Sequence, residues 1–190
     1  MRTAIFGGTF DPIHSAHLTV AREAAEAFGL DRILFIPAAN PPHKEAVTPY
    51  EDRFAMVELA CREDPRFIPS RLEEAQEKNY SIYTIERVRG SEKPGTRLFF
   101  VIGADAFAEI CSWHRADEVI TSVEFIVVTR PGHDYASPAG ACVHRLETVA
   151  LPVSSSEVRQ KLERGEIPPE LPPCVIRYIR EHKLYNFPKV

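Results

Sequence analysis

The stretch Gly7 to Leu18, GGTFDPIHSAHL, follows the apolar run TAIF and carries two imidazoles, His14 and His17, three positions apart. Residues at that spacing share one helix face. At a helix start the face meets the positive end of the dipole, where anions are favoured, so the pair can donate hydrogen bonds to phosphate oxygens. Gly7 and Gly8 let the chain turn sharply and let a ligand approach the backbone, since no Cβ intervenes. The pattern is neither G-x-G-x-x-G nor a Walker A loop, because no third glycine and no Gly-Lys-Ser/Thr follows. Phosphate must therefore be held otherwise than in a glycine cradle. For an arbitrary pair of histidines the commoner outcome is one in the core and one on the surface. A metal site would recruit Asp11 as third ligand, although zinc helices space their histidines four apart with a glutamate between.

Elements able to position this stretch are visible around it. The β-rich runs RTAIFG, DRILFIP, RLFFVIGAD and VEFIVVTRPG alternate with segments of helical periodicity, the signature of βα units around a parallel sheet. The continuous apolar character of LFFVI and FIVV suits strands covered on both faces. A first helix is predicted from Ser15 to Phe28 with Gly29 as its stop. A second opens at TPYE, with Thr48 as cap, Pro49 at the first helical position and Glu51 completing a capping box, and ends before Asp64-Pro65. Near the C-terminus SSSEVRQKLERG reads as a helix capped by serine and closed by Gly165. LPPCVIRYIREHKLY reads as another, opened by Pro172-Pro173. The predicted fold is α/β: a doubly wound parallel sheet with C-terminal helices. Such sheets open their ligand crevice at the carboxyl ends of the strands, where the strand order reverses. The glycine pair lies at such an end.

With 190 residues, 44% of them hydrophobic, the chain is read as one domain over residues 1–190. Its 16 prolines fall singly or in pairs between periodic segments, as loop punctuation. A net charge of -4 with interspersed signs argues against a general nucleic-acid or membrane-surface footprint, so an anion site must be built locally. Cys61, Cys111, Cys142 and Cys174 are far apart with no C-x-x-C pair, which suggests neither a disulfide framework nor a zinc cluster. No apolar run approaches the ~20 residues of a membrane span, and no signal-peptide pattern is seen, so a cytoplasmic location is expected. A homo-oligomer is compatible with these features.

Further candidates follow from position. Asp105, after a buried strand, can meet a ribose hydroxyl or cap a helix. Trp113 offers a flat π face on which a ligand ring could stack, though a lone tryptophan is more often core. Lys161 and Arg164 read as solvated helix charges.

GGTFDPIHSAHL resembles the G-(G/S)-(T/S)-F-D-P-x-H-x-G-H-L motif of a nucleotidyltransferase superfamily, and VSSSEVR (Val153 to Arg159) resembles its second signature, I-S-S-T-x-x-R. Within that superfamily NPPHK, the Tyr83-Thr84 pair, VIGAD, Trp113 and TRPG are similar to the bacterial nicotinate-mononucleotide adenylyltransferases, a likeness extending to YIREHKLY. The resemblance implies a Rossmann-like nucleotidyltransferase fold and adenylyl transfer from ATP to nicotinate mononucleotide, yielding deamido-NAD and pyrophosphate. It assigns catalysis to His14, His17 and Arg159. ATP binding falls to Gly7, Gly8, Thr9, Phe10, Gly103, Asp105 and Ser154 to Ser156 (Ser154, Ser155, Ser156), together with the catalytic three. Acceptor binding falls to Asn40, His43, Lys44, Tyr83, Thr84, Trp113, the backbone at His114, and Arg130. Magnesium is implied on the ATP phosphates, mostly hydrated, with no protein ligand. Three departures stand out: Ala16 for the usual glycine, Ser156 for threonine, and Glu86 for the aspartate after Tyr-Thr. The alternatives are nicotinamide mononucleotide or phosphopantetheine as acceptor, a silent nucleotide-binding module, and a metallohydrolase built on Asp11, His14 and His17.

Overall fold

The computed structural model describes residues 1–40, 46–74, 80–132, 134–148 and 153–188. Six strands form one all-parallel sheet: β1 (Arg2–Gly8), β2 (Arg32–Pro37), β3 (Phe67–Pro69), β4 (Arg97–Gly103), β5 (Glu124–Thr129) and β6 (Cys142–Glu147). Their spatial order is β3-β2-β1-β4-β5-β6, so the winding reverses between β1 and β4. The α/β doubly wound architecture expected from the alternation is present.

Side-chain alternation explains the continuous apolar runs. Ala4, Phe99, Val101 and Ile126 face one core. Their neighbours Ile5, Phe100, Ile102, Phe125 and Val127 face the other. The first core is closed by α1 (Ser15–Phe28), α2 (Tyr50–Cys61), α6 (Ser155–Glu163) and α7 (Pro173–His182). The second is closed by α3 (Ser81–Ser91), α4 (Ala104–Ala108) and α5 (Ala116–Ser122).

Helix α1 has the predicted limits, with Gly29 left-handed at φ 57° where its amide caps the Ala25 carbonyl. Helices α6 and α7 open at Ser154 and Pro172 as expected, and Gly165 follows α6 at φ 79°. Helix α2 departs from expectation: its N-cap is Pro49, and Thr48 makes no cap. The reason is competition from outside the helix. The Thr48 amide donates to Asp11 and its carbonyl accepts from Arg53, while Glu51 is held by Arg71 at 2.8 and 2.9 Å. Strands β3 and β6 were not legible: the first has three residues, and the second is an edge strand whose exposed side chains break the apolar pattern.

Candidate active site

The carboxyl end of β1 builds the first part of the site. Gly7 is exposed, and a Cβ there would meet nothing within 4 Å, whereas a Cβ on Gly8 would lie 3.1 Å from the Phe10 ring. Phe10, at φ 46°, is 2% exposed and packs on Phe6, His17 and Phe35 at 5.7, 5.0 and 5.8 Å between ring centroids. Its ring belongs to the core and supports the turn from beneath.

His14 caps α1, and its N–H donates to His17 Nδ1 at 3.2 Å, with the two rings 3.8 Å apart. An accepting Nδ1 places the proton of a neutral His17 on Nε2, which makes that nitrogen a donor. His14 is 3% exposed, and burial lowers its pKa to about 4 against the opposing pull of the Glu170 carboxylate. It is neutral near pH 7, and its buried Nδ1 has no hydrogen-bond partner among the described residues, the kind of uncompensated polar atom that functional sites retain. Ala16 is buried. Lys161, expected to be solvated, pairs with Glu170 at 2.7 Å.

The second signature docks on this turn. Arg159 Nη1 donates to the Asp11 carbonyl at 2.7 Å across 148 positions, and Nη2 to Ser156 Oγ at 3.3 Å. Ser155 Oγ donates to the Pro12 carbonyl at 3.1 Å. Ser154 is an N-cap that exchanges bonds with Glu157, so the Ser154 amide is already engaged by a carboxylate at 2.8 Å. An anion at this helix end must work through the remaining amides and Arg159.

Asp11 serves structure. Its Oδ2 accepts the Val47 and Thr48 amides at 2.7 and 3.2 Å, and its Oδ1 the buried Tyr185 hydroxyl at 2.6 Å. Burial, then this carboxylate, pushes the Tyr185 phenol far above its usual range. Among the described residues Asp11 does not converge with His14 and His17 as a metal-binding group.

Arg53 was missed. It is 1% exposed, and its guanidinium donates to the carbonyls of Thr48 at 3.0 Å and of Thr9 and Ala38 at 2.8 Å each. It ties the glycine turn to both ends of the segment that follows β2. Burial draws its pKa down while Asp11 opposes the shift. The available signal was spacing: Arg53, Val57 and Ala60 share the buried face of α2.

Two cavities flank the end of β4, and Gly103 lines both. One, about 270 Å³, is bordered by Gly7, Gly8, Thr9, Thr84 and Trp113. Trp113 is half-buried, edge-on to Phe100 at 6.2 Å, and Thr84 is hydrogen-bonded to Glu73, whose carboxyl pKa burial raises. The other, about 350 Å³, is bordered by Asp105, Thr129, Arg130 and Thr148. Asp105 is exposed in the first turn of α4, whose cap is Gly103. Arg130, expected at the acceptor's phosphate, lines the same cavity as Asp105. Tyr83 and His114 bond each other at 3.1 Å, outside the lining of either cavity. Glu86 pairs with Arg115 at 2.8 Å on the surface. Asn40 is exposed just after β2, and His43 and Lys44 lie outside the described residues.

The profile of the cytidylyltransferase-like family matches residues 5–161. A probable nicotinate-nucleotide adenylyltransferase of Solibacter usitatus is 58% identical over 188 residues, covering 98% of this chain and 100% of its own. This chain belongs to the cytidylyltransferase-like family, among the nicotinate-nucleotide adenylyltransferases. A probable nicotinate-nucleotide adenylyltransferase of Thermus thermophilus is 39% identical over 189 residues, covering 98% of this chain and all of its own. In fold, the chain is similar to the Plasmodium falciparum nicotinic acid mononucleotide adenylyltransferase complexed with APC, with a TM-score of 0.80, 20% identity and 98% of each chain covered. The same Plasmodium enzyme complexed with NaAD superposes with a TM-score of 0.79 at 20% identity, again over 98% of each chain.

Proposed function

We propose that this chain transfers the adenylyl group of ATP to the 5′-phosphate of nicotinate mononucleotide, forming deamido-NAD and pyrophosphate. The observation that carries the reading is the docking of Arg159 onto the Asp11 carbonyl, which joins the two signature segments beside paired cavities sharing Gly103. One cavity suits the adenosine, with Asp105 placed for its ribose. The other offers Trp113 to a cationic pyridinium face, with Thr84 at its wall.

The acceptor phosphate is mainly dianionic at neutral pH and needs no general base, so catalysis reduces to alignment and charge stabilisation. His17 Nε2 and the imidazole of His14 donate to the triphosphate, and Arg159 turns its guanidinium to the outer phosphates. The donor set of imidazoles, hydroxyls and a guanidinium fits phosphate, and magnesium enters as part of the substrate MgATP with most of its waters. The resemblance gives Asn40, with His43 and Lys44 outside the described residues, to the acceptor phosphate. The reading implies one domain over residues 1–190 and work in the cytoplasm. No helix among the described residues is long and apolar enough to cross a membrane.

Steady-state turnover with MgATP and either nicotinate or nicotinamide mononucleotide tests the choice of acceptor. Preference for the acid is expected, and equal or greater kcat/KM with the amide overturns it. Pyrophosphate release separates the enzyme from a silent binding module. His17→Ala is expected to lower kcat by at least ~100-fold in a folded protein.

A further inference from the structure

A second constellation lies at the other end of the sheet. Glu124 opens β5 and Cys142 opens β6, the two are register partners, and His144 follows two positions on, on the same face. These are the amino ends of parallel strands, whereas the cleft sits at the carboxyl ends. His144 Nε2 lies 2.8 Å from Glu124 Oε2, Cys142 Sγ lies 3.9 Å from that oxygen, and Sγ and Nε2 are 4.0 Å apart. Tetrahedral zinc, with bonds of about 2.3 Å to sulfur and 2.0–2.1 Å to nitrogen and oxygen, sets ligand-to-ligand edges of roughly 3.3–3.6 Å. Each observed edge is within about 0.5 Å of that figure, a side-chain adjustment on two hydrogen-bonded strands.

We propose that Glu124, Cys142 and His144 bind one zinc-class divalent cation, with solvent as fourth ligand. Thiolate, imidazole and carboxylate form the borderline-soft donor set that zinc selects, and two anionic ligands neutralise the ion. Binding releases the Cys142 thiol proton to solvent. His144 binds as the tautomer with its proton on Nδ1, so the Nε2 lone pair meets the metal. The rings of Phe28 and Phe99, at 5.4 and 5.8 Å, hold the imidazole in place. Arg97 opposes the ion: its Nε donates to Glu124 Oε1 at 2.8 Å and its Nη2 to Oε2 at 2.6 Å. That fork, with His144 on Oε2, fixes the orientation of the carboxylate. A bound cation takes Oε2 and leaves Arg97 on Oε1. The consequence is a staple that pins the edge strand β6 to β5, remote from the chemistry.

The test uses the full chain freed of metal by a chelator. Cobalt(II) should bind one equivalent with a thiolate-to-cobalt charge-transfer band, and zinc should displace it and raise the thermal midpoint. Cys142→Ser should abolish the band and weaken zinc binding, measured against a chromophoric chelator, by at least ~100-fold, with adenylyl transfer unchanged. Cys111→Ser, a control at an exposed thiol elsewhere, should keep the band. Arg97→Ala removes a like charge that competes for Glu124 Oε2 and should tighten zinc by about 10-fold, a sign that a merely structural role would not produce. A wild-type chain without the band, a band that survives Cys142→Ser or vanishes in Cys111→Ser, or weaker zinc in Arg97→Ala overturns the proposal.

Discussion

Replacing Arg53 with methionine keeps much of the aliphatic stem and removes the guanidinium that spans the Thr9, Ala38 and Thr48 carbonyls. Three hydrogen bonds from a charged donor, at about 1.5–3 kcal/mol each, set a gross loss of about 4.5–9 kcal/mol. Removing a cation that is only 1% exposed returns several kcal/mol of desolvation. Water reaches some of the freed carbonyls as the loops part, and a net destabilisation of about 3 kcal/mol is expected. Urea unfolding should show it as a lower midpoint at unchanged m-value. The larger effect is on catalysis. Thr9 lies in the glycine turn and Ala38 and Thr48 flank the segment proposed to meet the acceptor, so on that proposal losing the clamp lets the two substrates drift apart. A displacement near 1 Å costs about 100-fold in kcat/KM, read under conditions where the variant is fully folded. Arg53→Lys keeps the charge without the fork and should fall between. Should Arg53→Met stay within about 0.5 kcal/mol of wild type with undiminished kcat/KM, the clamp argument is wrong.

Gly8→Ala should cost about 1–3 kcal/mol, because the new Cβ lies 3.1 Å from a core ring that cannot swing away, while Gly7→Ala, whose Cβ would project into the cavity shared with Trp113, should leave stability intact and raise KM for nicotinate mononucleotide. Thermal unfolding and initial-rate kinetics on both variants check this, and equal stability losses refute it. His14 has a folded pKa of about 4 against an ordinary 6.5, so the unfolded chain binds the proton more readily between those values. Its contribution is whole above pH 6.5 and fades as pH falls toward 4, by about 3 kcal/mol as an order of magnitude. Urea titrations at pH 7, 6, 5 and 4 should show a steeper decline in wild type than in His14→Gln, and parallel declines would show that the imidazole does not titrate as a buried base.

Local chemistry was enough to determine the alternation of strands and helices, both ends of α1, the serine cap of α6, and the two signatures with their imidazoles and arginine. Periodicity, caps and turn glycines act within a few residues, so they survive in a one-dimensional reading. Strand β6 escaped because at the sheet edge only Leu146 is buried, while Cys142, Arg145 and Glu147 are exposed, so no apolar run is imposed. The chain order of motifs showed that they belong together but not how. Only the tertiary structure seats Arg159 on Asp11 and Tyr185 on the same aspartate, across 148 and 174 positions. The same holds for the turn of Arg53 inward to three carbonyls, the placement of Arg130 beside Asp105, and the convergence of Glu124, Cys142 and His144. Each of these joins groups from separate strands or loops, and their meeting depends on strand order and register, which no local window contains.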